Sequence, residues 1–575
     1  MGTIDNGAIV DLVNEFYETQ DEARRHELDK ILCTFKTEFP CEQTIGTCIF
    51  LITSTATTPR VRYFGTMSLY DVIRKRSSEC IENLSMFESL KAFIVENLTN
   101  GAHAQMQSIT NKLSSTLAIL VLYSIPDIWP DPVAELTTMW SNQPELLLRV
   151  LSEVAAEFAN VTMSLAQRSK LKTELHRVAD DIIRIIWTVL SAGDSTPSTR
   201  QAAVDCVEQW VGLPGVTLQQ WAAVLPIVFS AVVDDSAALS NLLNIISENC
   251  ELATMPQLVM DLVQFVTHNV SQRVIQELKE DGCSEEAIGL VSATCSLAEK
   301  SVSILVDNAF QAGNLQLREL VMVMHGLSTW PGEYPLEEKI SDFPAVFFCQ
   351  LREDLSDPSI DKKSELYQEI TITYVQLLSS AIPKMAFSPK YDTKLFSAEE
   401  REQFLSYRKS RSNISLDAYS LSGGDTLGLL NVQLHQAITA GDINIQESIL
   451  FQWECTADYC TEKDYEHICR FIELVPSLAM SPSLEPTQAH GRLGDTLMRL
   501  LYCLSHLVQE HEQATELEVT LIPTILSHVT MMKDAQEALY TLGKYVNDRP
   551  RSLQVRLEEQ LCEEPILGYP STLCK

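Results

Sequence analysis

Several shortages bound what this chain of 575 residues can be. Glycine (21) and proline (23) are both sparse, which leaves little material for glycine-rich phosphate loops or proline-rich linkers. No segment alternates apolar and polar residues between hairpin turns, so a sheet is not expected. No unbroken apolar run approaches the ~20 residues of a membrane-spanning helix; the longest, Leu117 to Tyr123, is far shorter. Basic residues are scarce against acids, 43 to 77, giving a net charge of −34. Such a field repels nucleic acid, whose phosphates need cations to neutralise them. It favours basic protein segments as partners, although an acidic surface also serves solubility alone. Neither a direct nucleic-acid partner nor a membrane is expected.

Chemistry is missing as well. The 15 cysteines are scattered, and no C-x-x-C occurs. Cys455, Cys460 and Cys469 with His467 come nearest to a cluster, but their spacing fits no common zinc site. Dispersed cysteines in a helical chain read as buried apolar residues of a reducing compartment. Phosphate-binding, dinucleotide, zinc-protease and serine-hydrolase motifs are all absent. The sequence therefore predicts no catalytic residue, no metal, no cofactor and no enzymatic activity. Met1 to Asn6 lacks the basic and apolar regions of a secretory leader, so a soluble intracellular protein is expected. The seven tryptophans, Trp129, Trp140, Trp187, Trp210, Trp221, Trp330 and Trp453, read as packing residues.

What remains is helical periodicity. Val61, Phe64, Gly65, Ser68, Leu69, Val72 and Ile73 follow the i, i+3, i+4 spacing of an amphipathic helix. Gly65 and Ser68 lie inside that stripe, where a neighbouring helix can approach closely. A short helix with such a face is marginal in water and needs partners. Similar stripes recur at Ile109, Leu113, Leu117 and Leu120, at Ile182, Ile186, Val189 and Leu190, and at Val204, Val207 and Val211. Breaks fall at 57–59, 126–127, 191–198, 213–215, 330–332 and 481–486. They divide the chain into about twelve helix pairs of ~40–50 residues, the HEAT and armadillo range. The predicted fold is all-α, a HEAT-repeat solenoid in which antiparallel helix pairs stack as a right-handed superhelix. Pro130 and Pro132 can start a helix, and Pro226 is placed to kink one.

One segment breaks the rhythm. A polar stretch from Pro383 to Tyr391 precedes Ser397, and Glu400 three residues on completes a capping box. The Ser- and Gly-rich stretch from Lys409 to Gly424 follows. Residues 383–430 therefore read as an insertion, either touching ligands on one face of the array or forming a disordered surface loop.

Four motifs in order carry a family resemblance. They are Tyr63-Phe64-Gly65 with Leu69 and Ile73; Glu88-Ser89-Leu90-Lys91; Pro126-Asp127-Ile128-Trp129-Pro130 with Val133-Ala134; and Ser397 with Glu399, Glu400, Glu402, Gln403, Phe404, Tyr407 and Arg408. The chain resembles the importin-β (karyopherin) superfamily of nuclear transport receptors, in its importin-13 and transportin-3 branch. That resemblance implies a monomeric receptor that binds Ran-GTP, nucleoporins and basic or small folded protein cargo. It would shuttle between cytoplasm and nucleus, mainly in import. It implies Ran-binding repeats over 1–140, central repeats over 141–382, the charged insertion over 383–430 and further repeats over 431–575. The second helices of repeats two and three are placed at Thr57 to Arg76 and Gln105 to Tyr123. With Phe64, Leu69 and Ile73 packed inward, the freer face carries Arg62, Thr66, Tyr70 and Arg74, with Asn111 and Ser115 their counterparts. In the insertion, Glu399, Glu400, Glu402, Tyr407 and Arg408 are the cargo candidates. Two departures stand out. Such receptors run to about twenty repeats, so the chain is expected to carry only the N-terminal part of the array. From Lys409 to Leu430 it places Ser and Gly where the family continues as a helix. The alternative reading is a static HEAT scaffold subunit of a multiprotein complex.

Overall fold

A computed structural model of the chain describes residues 5–54, 57–101, 106–193, 195–280, 282–478, 487–510 and 555. Among these residues there is no strand, and the fold is an all-α solenoid. The chain divides into two compact units at Leu258/Val259.

The first unit opens with α1 (Asn6–Glu18), α2 (Glu22–Thr37), α3 (Cys41–Thr53) and α4 (Pro59–Lys75). It continues with α5 (Ser77–Glu82), α6 (Leu84–Thr99), α7 (Gln107–Ser124), α8 (Pro132–Met139) and α9 (Pro144–Glu157). Helices α10 (Leu165–Ser191), α11 (Pro197–Val211), α12 (Leu218–Trp221), α13 (Leu225–Val232) and α14 (Ser236–Ser247) complete it. Side-chain caps set the starts: Asp21, Thr58, Asn83, Asp131, Ser164, Thr196 and Asp235 each accept a first-turn backbone N–H, each worth about 1 kcal/mol. Pro132 starts α8, as its missing N–H allows. Pro226 lies in the first turn of α13 and so begins that helix rather than kinking one. Helices α4, α7, α9 and α11 pack one on the next. Within this run α7 is buried at every residue from Leu113 to Leu122, and Ser114, Ser115 and Thr116 return their hydroxyls to carbonyls four residues back.

The second unit begins in α15 (Pro256–Phe265), followed by α16 (Ser271–Glu280), α17 (Glu285–Ala312), α18 (Gln316–Ser328), α19 (Ala345–Leu355) and α20 (Glu365–Met385). Then come α21 (Ala398–Arg411), α22 (Asn413–Ser422), α23 (Gly424–Ala440), α24 (Ile443–Ala457), α25 (Tyr465–Leu474) and α26 (Gln488–Glu510). Among the described residues, α17 alone is long and apolar enough to cross a membrane. It packs against α16, α18 and α19, and 56% of its apolar window is buried, the situation of a core helix. Trp140, Trp210, Trp221 and Trp453 are buried completely or nearly so, and Trp129 almost so. Trp187 departs from the packing expectation, at 44% exposure.

The insertion expected over 383–430 is built differently from the expectation. Pro383 lies in the last turn of α20, and the Ser- and Gly-rich stretch forms α22, whose Ile414, Ser415, Asp417 and Ala418 are buried. Two of the serines that suggested a loop bond within the helix: Ser420 and Ser422 donate to the carbonyls four residues back. Gly423, at φ +58°, turns the chain from α22 into α23. Of the further repeats expected over 431–575, residues 479–486, 511–554 and 556–575 lie outside the described residues, as does the break at 481–486.

Candidate functional site

The predicted face of the first unit begins on α4. Gly65 sits where α3 crosses closely: a Cβ there would lie 2.8 Å from Leu51 Cβ and 3.2 Å from the Cys48 carbonyl oxygen. Val61, Ser68, Leu69, Val72 and Ile73 share the buried stripe, while Phe64 is only half-buried. Arg62 reaches back to the end of α3, its Nε 3.3 Å from Thr57 Oγ1 and its guanidinium 3.3 Å from the Ser54 carbonyl.

The remaining α4 candidates do not form a free face. Thr66 is fully buried and donates to the Arg62 carbonyl at 2.9 Å. Tyr70 is 5% exposed. Its hydroxyl donates to Glu157 at 2.8 Å, and the Lys112 ammonium lies 3.1 Å from its ring centroid. Burial first, and the Glu157 carboxylate second, push the phenol well above its ordinary pKa. Burial also lowers the Lys112 pKa. Arg74 donates from Nε to the Asn160 carbonyl at 3.2 Å, and Tyr123 donates to the Arg74 carbonyl at 3.2 Å. On α7, Ser115 is buried and donates to Glu153 at 2.7 Å. Asn111 is exposed and accepts from Gln107 at 2.8 Å.

The expectation of a solvated row at Arg62, Thr66, Tyr70 and Arg74, with Asn111 and Ser115 their counterparts, is therefore corrected at Thr66, Tyr70 and Ser115. The physical reason is the angular width of the buried arc. Helix α4 touches α3 on one flank and α7 on the other, so the positions between its two apolar seams are covered too. The structure does bring Tyr70, Arg74 and Ser115 together, through partners that the sequence reading missed: Lys112 on α7, Glu153 and Glu157 on α9, and Asn160 just beyond it. Glu153 and Glu157 stand at i and i+4, hence on one helix face, and that spacing was the available signal. Further along, α11 carries Glu208, whose carboxyl is pushed up to about 7 by burial, with Asp205 and Asp235 adding to the shift.

In the second unit α21 starts at the predicted capping box. The Ser397 N–H donates to Glu400 at 2.7 Å and the Glu400 N–H donates to Ser397 Oγ at 3.1 Å. The Ser397 N–H bond to its carboxylate, with the Ser397 side chain second, lowers the Glu400 pKa. Glu399 and Glu402 are exposed. Tyr407 and Arg408 are not, at 1% and 4%, and their expected contact with cargo is corrected. Tyr407 stacks on Tyr334 with ring centroids 4.2 Å apart, and its hydroxyl lies 2.9 Å from Ser341 Oγ; burial pushes its phenol up to about 12. Arg408 makes a two-point pair with Glu447 at 2.9 and 2.8 Å and donates to the Met385 carbonyl. Its guanidinium lies between Phe387 and Phe451, 4.2 and 4.6 Å from their ring centroids. The helix is thus anchored on one side by aromatic and ionic contacts and presents acids on the other. A groove of about 400 Å³ runs beside Arg408, Phe451, Arg492 and Arg499. Its cations are largely matched: Arg492 pairs with Asp392 at 2.9 and 3.0 Å, and Arg499 with Glu454 at 2.8 and 3.2 Å.

Residues 107–240 match the family described as Exportin 1-like protein. The chain is 23% identical to importin-13 of Homo sapiens over 519 residues, covering 85% of this chain and 51% of that protein. Importin-13 of Gallus gallus is 22% identical over 485 residues, 80% of this chain and 49% of that protein. The chain thus spans about half the length of the curated relatives it matches. Its fold is similar to that of the structure described as importin-13 in its cytosolic state, with a TM-score of 0.58, 17% identity, and coverage of 83% of this chain and 59% of that one.

Proposed function

We propose, on the support these likenesses give to the importin-β (karyopherin) superfamily, that the chain is a nuclear transport receptor of the importin-13 kind. It binds Ran-GTP and protein cargo and shuttles between cytoplasm and nucleus, mainly in import, as a monomer that also engages nucleoporins. The observation that carries the reading is the likeness to importin-13 along 85% of the chain. An all-helical solenoid with a continuous run of stacked helices, α4, α7, α9 and α11, agrees with it.

Within this reading the first unit holds Ran through the edge of α4 and α7. Arg62 and Asn111 reach solvent there, beside Tyr63, which is 38% exposed. Thr66, Tyr70, Arg74 and Ser115 act behind them, fixing the spacing of the helices that carry the contacts. In the second unit Glu399 and Glu402 face basic cargo, in keeping with the net charge of −34, while Glu400, Tyr407 and Arg408 hold α21 in place. Ran and import cargo compete through overlapping surfaces or different curvatures of the array, each weakening the other. The receptor itself makes and breaks no bond.

Capture of Ran on the immobilised chain, with Ran loaded with GTP or with GDP, tests the proposal. Retention of the GTP form alone is the expected result. Equal retention of both forms, or of neither, removes Ran regulation and leaves a static HEAT scaffold.

A further inference from the structure

Two thiols of the first unit meet where α3 and α5 converge. Cys41 is the first residue of α3, and Cys80 lies within α5. Their sulfurs are 3.5 Å apart, although the residues are separated by 39 positions. Cys80 is completely buried and Cys41 is 7% exposed, so a small reagent reaches the pair through Cys41. Beside them is Arg76, which joins α4 to α5. Its guanidinium donates to the Phe39 carbonyl at 2.8 Å and to both Glu79 oxygens at 2.8 and 2.6 Å. Position 41 offers its sulfur the Cys80 sulfur within hydrogen-bond reach, the nearby Arg76 charge and a helix start, a setting that favours a thiolate. The bond from Cys80 is the largest of the influences that lower the Cys41 pKa, and the same bond with burial raises that of Cys80. Cys41, the more exposed of the two, is thus placed to meet the oxidant first, with the fully buried Cys80 in reach behind it.

We propose that Cys41 and Cys80 form a redox site, which a peroxide converts to an intramolecular disulfide stapling the start of α3 to α5. The Cys41 thiolate attacks one oxygen of hydrogen peroxide. The O–O bond breaks, sulfur is oxidised to the sulfenic acid, and the departing hydroxide takes a proton to become water. The Cys80 sulfur then attacks the Cys41 sulfur. The S–S bond forms, the S–O bond breaks, and the hydroxide leaves with the Cys80 proton as a second water. In sum, two thiols and one peroxide give one disulfide and two waters. A dithiol reductant reverses the change by thiol–disulfide exchange. Closing the remaining gap needs only a small shift of α5, a helix of six residues.

The test uses the full chain. After brief exposure to hydrogen peroxide, free thiols are alkylated and tryptic peptides are read by mass spectrometry. The expected product joins the peptide of residues 37–60 to that of residues 77–91, with fragmentation placing the link at Cys41 rather than Cys48, and dithiothreitol abolishes it. Exposed Cys33 and Cys250 report that the oxidant was effective. In Cys80→Ser the oxidation stops at a Cys41 sulfenic acid that dimedone labels, whereas Cys41→Ser leaves Cys80 reduced. The proposal is overturned if Cys33 and Cys250 are oxidised while no Cys41–Cys80 link forms, or if the link maps to Cys48. The readout on the unsubstituted chain decides the matter even where a serine variant fails to fold.

Discussion

Tyr70 and Glu157 are 87 positions apart, and a hydrogen bond of 2.8 Å between them ties α4 to α9. Helix α7 packs on both, and its Lys112 lies over the Tyr70 ring. The bond is buried, with Glu157 at 6% exposure, and Glu157 also accepts from Asn160 at 2.9 Å. Three successive helices are therefore held at fixed spacing by polar contacts as well as by apolar seams. Removing the hydroxyl in Tyr70→Phe deprives a buried carboxylate of one donor, a loss of about 1.5–3 kcal/mol for a bond to a charged group. Urea unfolding of the two proteins measures it, and an unchanged midpoint would show that the bond carries no weight.

Gly65 makes a different prediction from the same helix. A methyl group there meets Leu51 Cβ and the Cys48 carbonyl, both on the partner helix. Neither atom is the far end of a flexible side chain, so α3 and α4 must move apart. Gly65→Ala gains in helix propensity, by up to about 1 kcal/mol, yet forced overpacking costs about 1–3 kcal/mol. The net expectation is a lower thermal midpoint. A midpoint equal to or above that of the unsubstituted chain would mean that the two helices separate at little cost.

These two residues also mark what the sequence made legible. The stripe through Gly65 and Ser68 announced a close helix neighbour, and the bounds of α4 and α7 lie within a few residues of those expected. Periodicity reports which side of a helix is apolar. It does not report how many neighbours cover the remaining sides. Thr66 and Tyr70 looked free because polar residues at helical spacing usually face water, and a second neighbour as far along the chain as α7 leaves no local trace. The loop alternative for 409–424 fails for a related reason. Serine and glycine in the stretch 409–424 resemble a loop by composition, but Ser415 and Ala418 are small residues that let α22 sit buried against α19 and α20. The capping box at Ser397, being wholly local, was read correctly.

The side chains of Arg408 and Glu447 form a buried ion pair at 2.8 Å. Thr496 adds a bond to the same carboxylate at 3.0 Å. Replacing only the cation, as Arg408→Met, strands a buried carboxylate and is expected to cost about 3–5 kcal/mol. Replacing both, as Arg408→Met with Glu447→Leu, is expected to recover most of that loss, because the flanking Phe387 and Phe451 rings accept an apolar side chain. Denaturant unfolding of the two variants separates these outcomes. Equal destabilisation of single and double variants would place the loss in shape rather than charge.

Glu208 gives a pH signature. Its folded pKa of about 7 lies above the ordinary value of 4.5, because burial disfavours the charged form. Between those values the folded chain binds more protons than the unfolded one, so stability falls as pH rises from about 4.5 to 7 and then levels. Glu208→Gln removes that dependence. The variant is expected to melt higher than the unsubstituted chain at pH 8, with the difference closing near pH 5. Parallel thermal melts across that range test the sign, and a difference independent of pH would assign the effect to packing.

Glu399 and Glu402 offer the most direct handle on the proposed cargo face. Both are exposed on α21, and the opposite side of that helix is fixed by Phe404, Tyr407, Arg408 and Arg411. Reversing their charge therefore changes the field at the surface while leaving the buried contacts of α21 in place, at the loss of one exposed bond from Gln403 to Glu399. Exposed charges act mainly on association rate and are screened by salt. The double variant Glu399→Lys with Glu402→Lys is expected to leave the melting temperature within about 1 °C, since surface changes of this kind stay near ±0.5 kcal/mol. It is expected to slow association of a small basic domain several-fold at low ionic strength, with the gap narrowing as salt is raised. Stopped-flow association at two salt concentrations separates the two contributions. Unchanged rates at low salt would move the basic partner's site away from α21, whatever the fate of Ran binding in the first unit.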